Sequence, residues 1–510
     1  MSLDIPNQNA PLNTSSSLGA EKLSQGQMWN VEVILNNHDT DPYQMSPNII
    51  MELAIEDDLL NWPTQGYLVY QNKQEGIERN LDKNAWYYRM DARDEISIRL
   101  TPIFKNSELD FPEEIWEIKI NAVVYDVEDL PSTNIETKAK KIYFWDKKYQ
   151  MLMDKNIQWS TATTEYNEYI GGGVNAAHAT DDERSMYTGD AIKALLTDAG
   201  FEEYIDHENW DPGKSKILYT SPAQSSVIDD LNYLLSLHIS STNNDICIFT
   251  TDRATQKWQL LAVNKIFKQA GKSADTPGDR QLEHLFFEDQ MYNTGKNTSP
   301  YKAPYTKEPS TKKDIKLTGW NTIDTYQFVD MSGLDNEKTL NSKPVFWYDF
   351  SEKQFGADYK ENEISAVRDK FKKLYVDELL GDKPTPLFTL NKTKTEQYNI
   401  DPQFIFSSAT GASDAAMRLK FGMGKILFGG LFLNECISYR VMGSTHRIAG
   451  SFIGIDRLTA NTNYKFDDKI CGQWFVTNVK HIWKYNKFVN DVIAVKIHSY
   501  SDLKIKEDIY

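Results

Sequence analysis

The chain has 510 residues, 40% hydrophobic and 12% aromatic, enough apolar material for two to four cores and unlike a disordered or fibrous chain. Its 56 basic and 73 acidic residues leave a net charge of −17, which excludes a general nucleic-acid coat, since that function needs a basic face. The three cysteines, Cys247, Cys436 and Cys471, are widely spaced in strand-like runs and read as buried reduced thiols, not as a disulfide framework or a zinc site.

Residues 1–19 are polar and lack an apolar signal core, and the most apolar run, Ile426–Leu433, is far below the roughly 18 residues that cross a bilayer. The expectation is a chain made in a cytosol that stays soluble or joins an assembly, with no membrane span. The charge is uneven. Phe421–Tyr510 holds 12 Lys/Arg against 8 Asp/Glu, so this segment is +4 and the rest is −21. A basic end on an acidic body predicts pairing with acidic neighbours or with copies of itself, or else an uneven surface with no partner.

In chain order, 1–24 is Ser/Asn/Gln/Pro-rich and reads as a flexible arm. Residues 25–153 carry strand-like runs at Val31–Leu35, Ile49–Ile55, Tyr67–Tyr70, Trp86–Met90, Glu95–Thr101, Ile115–Val127 and Lys141–Tyr149. Two of them alternate cleanly. Ile96, Ile98 and Leu100 oppose Ser97 and Arg99; Trp116, Ile118, Ile120, Ala122 and Val124 oppose Glu117, Lys119 and Asn121. The segment is predicted to form a first β-barrel or sandwich. Residues 154–177, with Gly171–Gly173, are predicted as linker.

Over 178–268 the period changes to 3.6. Ile192, Leu195, Leu196 and Ala199 form a helical stripe ended by Gly200. A second helix is predicted to open on Ser221 as cap with Pro222 at its first position, and to carry Val227, Ile228, Leu231, Leu234 and Leu235. Strands follow at Asp245–Thr251 and Lys257–Val263, completing a middle α+β domain. Residues 269–314 read as a polar linker or insertion with one short element near His284–Met291. Residues 315–424 read as the start of a second barrel plus a helical insertion at Glu361–Leu380, with a further helix at Asp414–Phe421. Residues 425–510 are predicted as the rest of that barrel. In Gln473–Lys484, simple alternation puts Trp474, Val476 and Ile482 on one face and Phe475, Val479 and Trp483 on the other, so both faces are expected to be covered, one by the sheet's own core and the other by a neighbouring subunit. The fold class is α+β, mainly β, with two antiparallel β-barrels flanking or interleaved with smaller α+β domains.

No catalytic, metal-binding or cofactor-binding constellation assembles in the sequence. Gly171–Gly173 has no following Gly-Lys-Ser/Thr, and Gly213–Ser215 and Gly271–Ser273 lack the earlier glycine of a phosphate loop, having Glu208 and Ile266 there. His38, Asp39 and Asp41 lack the turn glycine and closing Glu of a calcium loop. The acidic runs Glu56–Asp58, Glu113-Glu114, Asp181–Glu183 and Glu202-Glu203 read as solvated turns or ion-pair partners ahead of a glycosidase pair. Gly411–Ala415 misses the last glycine of a nucleophile elbow, and His481, between Val479 and Trp483, reads as a hydrogen-bonded strand histidine.

Three stretches carry a resemblance. The run Arg440–Ile455, then Asp467–His481 with Gly-Gln-Trp-x-Val-x-x-Val-x-His, then Tyr485–Asn490, resembles the closing barrel of central baseplate hub proteins of contractile-tailed bacteriophages of the T-even type. Ile49–Gly66, with Asp57-Asp58, resembles the first tail-tube-like barrel of that family, and Ser221–Val263 its middle domain. The barrel-motif positions are Gly443, Gly450, Gly454, Gly472, Trp474, Val476 and His481. The chain departs from the family chiefly through Gln269–Lys312 and Ser351–Asn399. The resemblance implies a non-enzymatic homotrimer in the virion tail baseplate, assembled in the host cytoplasm. Each subunit would supply two tube-like barrels, giving a pseudo-sixfold ring that meets the hexameric tail tube or a tube-initiator protein. The central spike protein would dock on the other side and baseplate wedge proteins around it, with DNA only as passing cargo in the lumen. The rivals are a hub of another injection system such as a secretion-system spike, a tail-associated cell-wall hydrolase, and a carbohydrate-binding module with Trp and Tyr exposed on one sheet face.

Overall fold

The computed structural model describes residues 29–37, 41–59, 61–73, 90–102, 117–130, 137–161, 185–214, 216–217, 219–241, 247–253, 255–263, 265–266, 283–287, 322–330, 345–349, 354–358, 403–407, 435–445, 447–456, 470, 472–484 and 487–496. The N-terminal unit holds β1 (Trp29–Asn36), β2 (Tyr43–Gln44), β3 (Ile50–Asp58), β4 (Gln65–Lys73), β5 (Glu95–Pro102), β6 (Ile118–Leu130) and β7 (Thr137–Asp146). The middle unit holds α1 (Lys147–Asp154), β8 (Met186–Tyr187), α2 (Thr188–Asp198), β9 (Ile205–Trp210), β10 (Lys216–Ile217), α3 (Val227–Leu237), β11 (Cys247–Thr251) and β12 (Trp258–Ala262). Then come β13 (Glu283–Phe287), β14 (Thr322–Asp330), β15 (Val345–Asp349), β16 (Gln354–Asp358), β17 (Gln403–Ser407), β18 (Glu435–Met442), β19 (Phe452–Asp456), β20 (Gly472–Lys484) and β21 (Lys487–Lys496). The expected strand Trp86–Met90, save Met90, and the expected helices Glu361–Leu380 and Asp414–Phe421 lie outside the described residues.

The fold is mainly β, with smaller α+β parts. A 13-stranded sheet runs β19-β13-β14-β18-β21-β20-β3-β4-β7-β6-β5-β1-β2, and β19 pairs again with β20. That second pairing closes β13, β14, β18, β21, β20 and β19 into a ring, so each of these six strands is paired on both sides. This barrel is not purely antiparallel, as the sequence had suggested. Strand β13 runs parallel to both β14 and β19. It comes from the stretch assigned to a polar linker; there Leu285, fully buried, supplies the inward side chain that the closing strand requires.

In the N-terminal unit the sequence alternation becomes a core. Val31, Val33 and Leu35 of β1, Ile96, Ile98 and Leu100 of β5, and Ile118, Ile120, Ala122 and Val124 of β6 all join one buried cluster with Leu68, Ile142 and Phe144. Burial of each large aliphatic side chain stabilises by about 1.5–3 kcal/mol. Gly66 of β4 is required by close approach, because a Cβ there would stand 2.2 Å from the Ala54 carbonyl oxygen and 2.7 Å from the Phe144 ring.

Strand β20 departs from simple alternation. A β-bulge between Val476 and Asn478 moves one residue out of the ladder. Trp474, Val476 and Val479 therefore enter the same C-terminal core, whereas the sequence pattern had divided Val476 from Val479. Farther along the same face Trp483 enters the N-terminal core. One strand thus supplies both cores. The opposite face is also closed within the single chain: Phe475 is 0% and Val495 2% exposed, so a second subunit is not what buries them, contrary to expectation.

The middle unit buries the α2 stripe Ile192, Leu195 and Leu196 and the α3 residues Val227, Leu231 and Leu234 against Phe249, Trp258 and Leu260. Strand β7 ends earlier than its apolar run, because Asp146 caps α1 by accepting from the Lys148 N–H at 2.8 Å. Helix α3 also starts five residues later than the Ser221-Pro222 signal indicates. Ser226 forms a capping box with Asp229. Ser221 instead donates to the buried Asp230 carboxylate at 2.5 Å, beside Tyr219 and Ser225 at 2.8 and 2.6 Å. Ser226→Ala is expected to cost about 1 kcal/mol. Ser221→Ala, which removes a donor from a buried carboxylate, should cost about 1–3 kcal/mol. Urea midpoints of the two variants will rank them, and an equal or reversed order would contradict the assignment.

Candidate functional site at the seam between the two β units

The N- and C-terminal units meet along an antiparallel ladder from Asn478↔Asp58 to Lys484↔Glu52. On its outer face the pairs are polar and charged except for the buried Ile482↔Ala54. Lys484 reaches Glu52 at 2.7 Å, Asn478 donates to Glu56 at 2.8 Å, and the Tyr67 hydroxyl donates to Glu52 at 2.5 Å. Lys141 lies 4.3 Å from the Tyr67 ring centre and 4.4 Å from that of Tyr143, and Lys480 lies 5.2 Å from Tyr67. The positive excess of the C-terminal segment is thus met, at this ladder, by acidic residues of the chain's own β3.

On the inner face His481 and Trp483 stand opposite Ile55 and Leu53. His481 is 1% exposed, pairs across β21 with Asn490, and stacks at 14° on the Phe488 ring. Asn490 is a hub of donors and acceptors. Its Oδ1 accepts from the Ser444 N–H at 2.6 Å and from Arg447 at 2.8 Å, which directs its amide N–H toward His481 Nδ1 at 2.8 Å. His481 therefore accepts at Nδ1 and carries its proton on Nε2. Arg447 also donates to the Met442 carbonyl.

The other motif positions serve the same barrel. Gly443 lies against the Phe488 ring, where a Cβ would come within 2.2 Å, and its N–H donates to the Phe488 carbonyl at 2.8 Å. Gly450 has φ +85°, a left-handed conformation, and donates to the Val476 carbonyl at 2.8 Å. Gly454 and Gly472 pair with Gln473 and Ile455 in the β19–β20 ladder that closes the ring. Trp474 is fully buried, donates to the Ile470 carbonyl at 2.8 Å, and has the Lys496 ammonium 5.5 Å from its ring centre. Val476, 2% exposed, donates to the Ser451 carbonyl at 2.9 Å.

A second node ties all three units. Asp57 accepts from the Ala449 N–H at 3.3 Å, and Arg253 of the middle unit donates to the Arg447 carbonyl at 3.2 Å. Burial pushes the Asp57 carboxyl up, against the pull of Arg253 and of the Ala449 N–H. Trp62 fastens the N-terminal unit to the middle unit by donating to Thr251 at 3.0 Å and packing edge-on against Phe249 at 5.1 Å.

The acidic run Glu56–Asp58 is thus engaged in the fold, with Asp58 accepting from Asn61 at 2.8 Å. Glu202 and Glu203 form a short 3-10 turn. The runs at 113–114 and 181–183, the glycines 171–173, the triplet 271–273, the segment 411–415, and His38 and Asp39 lie outside the described residues, as does Cys471. Cys436 is buried with its thiol pushed up to about 11 by burial, whereas Cys247 is only partly buried, unlike the expectation for it. Cys247 also sits with Asp211 and His238 in a group whose donor atoms lie within 4.8 Å of one another. Among the described residues no helix is long and apolar enough to cross a membrane.

No family model and no curated protein matches the chain. Solved structures of similar outline include the 43 kDa tail protein of prophage MuSo2 from Shewanella oneidensis, at 10% identity and TM-score 0.42, covering 92% of this chain and 97% of that one. The tail protein from Neisseria meningitidis MC58 is similar at 9% identity and TM-score 0.44, covering 92% and 97%. A chain of the Francisella PdpA–VgrG complex is similar at 10% identity and TM-score 0.41, covering 92% and 58%.

Two outcomes test the seam. Asn490→Ala strands the Arg447 and Ser444 donors and the His481 acceptor, and is expected to cost about 2–4 kcal/mol in a urea titration. Glu52 gives a pH signature. Burial pushes its carboxyl up, but hydrogen bonds from Lys484 and Tyr67 and the charges of Lys484 and Lys480 outweigh it, leaving it below its ordinary value of 4.5. A depressed carboxylate contributes stability above its unfolded pKa, and that contribution is lost as pH falls through the lower folded value. Glu52→Gln should therefore be less stable than the parent at pH 7, by about 1 kcal/mol because Lys484 is 43% exposed, and the gap should vanish in strong acid. A gap that persists or widens on acidification would contradict this.

Proposed function

We propose that the chain is a structural, non-enzymatic component of a contractile tail or related injection machine, and within it the homotrimeric hub that joins a central spike to a hexameric tube. The observation that carries this reading is the β3–β20 ladder, which fuses a closed C-terminal barrel and a curled N-terminal sheet side by side in one subunit. Two ring segments per chain become six in a threefold assembly, and closed symmetry of this kind is the rule for homo-oligomers. The motif positions of the resembling family sit at the closure of that barrel and at its junction with the N-terminal unit. In this reading the partners are a spike, the tube or its initiator, and baseplate wedge proteins, with DNA passing through the lumen; the place is the virion baseplate, assembled in the host cytoplasm. The hub of another injection system fits the same geometry, and neighbouring genes distinguish the two.

Light scattering on the purified full chain is expected to give a trimer burying more than about 2,000 Å² per interface. A monodisperse monomer at micromolar concentration would overturn the hub assignment. Clearing of a peptidoglycan suspension would overturn its non-enzymatic character.

One observation favours a second reading, a carbohydrate-binding face. Tyr125 is 39% exposed and stacks on Trp145 at 4.4 Å, with Tyr143 at 6.0 Å, so aromatic rings line one outer sheet face. Glycan binding that Tyr125→Ala abolishes without changing the oligomeric state would support that reading over the hub.

A further inference from the structure

We propose that Asp211, His238 and Cys247 bind one zinc-type divalent cation inside the middle unit, a site separate from the seam. The three residues come from three elements: Asp211 follows β9, His238 caps the C-terminus of α3, and Cys247 opens β11. Their ligand atoms lie within 4.8 Å of one another, and His238 Nε2 stands 3.6 Å from Asp211 Oδ1. Two donors on one tetrahedral zinc, bound at about 2.0–2.3 Å, are separated by roughly 3.3–3.8 Å, so the trio needs only small movements.

The imidazole is the observation that points to a ligand. His238 is 2% exposed, and its Nε2 has no hydrogen-bond partner while aimed at the carboxylate. A buried ring nitrogen left unsatisfied is costly, and a cation would relieve that cost. Its other nitrogen, Nδ1, is 3.0 Å from the hydroxyl of the fully buried Thr188. Donation from Nδ1–H to that hydroxyl would hold the ring in the tautomer that offers a lone pair at Nε2, the outer support that metal-bound histidines characteristically have.

The carboxylate is equally preset. Asp211 Oδ1 accepts from the Gly213 and Ser241 N–H groups, both at 2.8 Å, and Oδ2 from the Ser240 and Ser241 hydroxyls at 2.7 and 3.2 Å. Gly213 lets the loop close: φ is +85°, and a Cβ would stand 2.6 Å from the Thr188 hydroxyl and 3.0 Å from the imidazole. Asp190, on α2, is the further acid whose charge reaches both His238 and Asp211.

One sulfur, one imidazole nitrogen and one carboxylate oxygen form a borderline-soft set that suits zinc over magnesium or calcium. Binding would remove the Cys247 thiol proton to solvent and form a thiolate–metal bond. Water would complete the fourth position from the side of Cys247, which is partly exposed. The metal would fasten the end of α3 to β9 and β11, a structural role.

The test uses the chelator-stripped full chain titrated with zinc chloride by calorimetry, and with cobalt(II) by absorption. One equivalent should bind with proton release, and cobalt should show a thiolate charge-transfer band. Cys247→Ser and His238→Gln should each weaken binding at least tenfold and abolish or alter the band, while His207→Gln, exposed in the same unit, should change neither. Absence of saturable binding at one equivalent, a cobalt spectrum without the thiolate band, or an equal loss in His207→Gln would overturn the site. Should His238→Gln not fold, the Cys247→Ser comparison alone decides through the cobalt band.

Discussion

The rest of the structure depends on one ladder, the antiparallel pairing of β3 with β20. Among the described residues it is the only link in the strand order between the first seven strands and the six of the C-terminal ring. The ladder is stabilised differently on its two faces. Inside, Leu53, Ile55 and Trp483 join an apolar cluster, and the directionless hydrophobic term supplies most of the energy. Outside, Lys484–Glu52 and Asn478–Glu56 fix the register, since a slip of one residue would part these pairs and turn Trp483 to the opposite face.

The polar groups near this ladder act as fasteners between units. Asn490 joins β21 to the loop after β18 and to His481 of β20. Asp57 and Arg253 then extend the connection to the middle unit through the backbone at Arg447 and Ala449. Buried, directional contacts of this kind restrict how the units can sit against one another. The middle unit contributes through Trp62, whose indole meets Thr251, Tyr149 and Phe249 together.

Much of this was legible locally. The alternation of β5 and β6 reads directly as inward and outward faces, because each side chain there depends only on its own strand's pleat. The α2 stripe is equally plain. What failed were choices made by tertiary contacts. Both Ser221 and Ser226 are good caps, and the competing demand of the buried Asp230 decides which one caps α3. The bulge in β20 carries no local signature; it is set by the partner strand, and it reverses the face of every residue beyond Val476. Strand β13 falls where a short element was expected near His284–Met291, but its parallel pairing with β14 and β19 is decided by contacts far away in the chain. Of the seam, His481 was readable as a hydrogen-bonded strand histidine, but its partners Asn490 and, through it, Arg447 are brought to it by pairing. Asp211, His238 and Cys247 follow no spacing motif and meet only because α3 ends beside β9 and β11.

The separation along the chain between the two sides of the ladder, 422 residues from Glu56 to Asn478, governs how the molecule comes together. A ribosome completes β3 long before it begins β20. During that interval β3 is an open sheet edge, a template for pairing with any other nascent chain. Glu52, Glu56, Asp57 and Asp58 crowd one short strand with negative charge, which repels an identical edge while awaiting the lysines of β20. The same residues that set the register in the finished protein therefore act beforehand as a guard against premature self-association, and the long closure makes sheet completion a late, slow folding event.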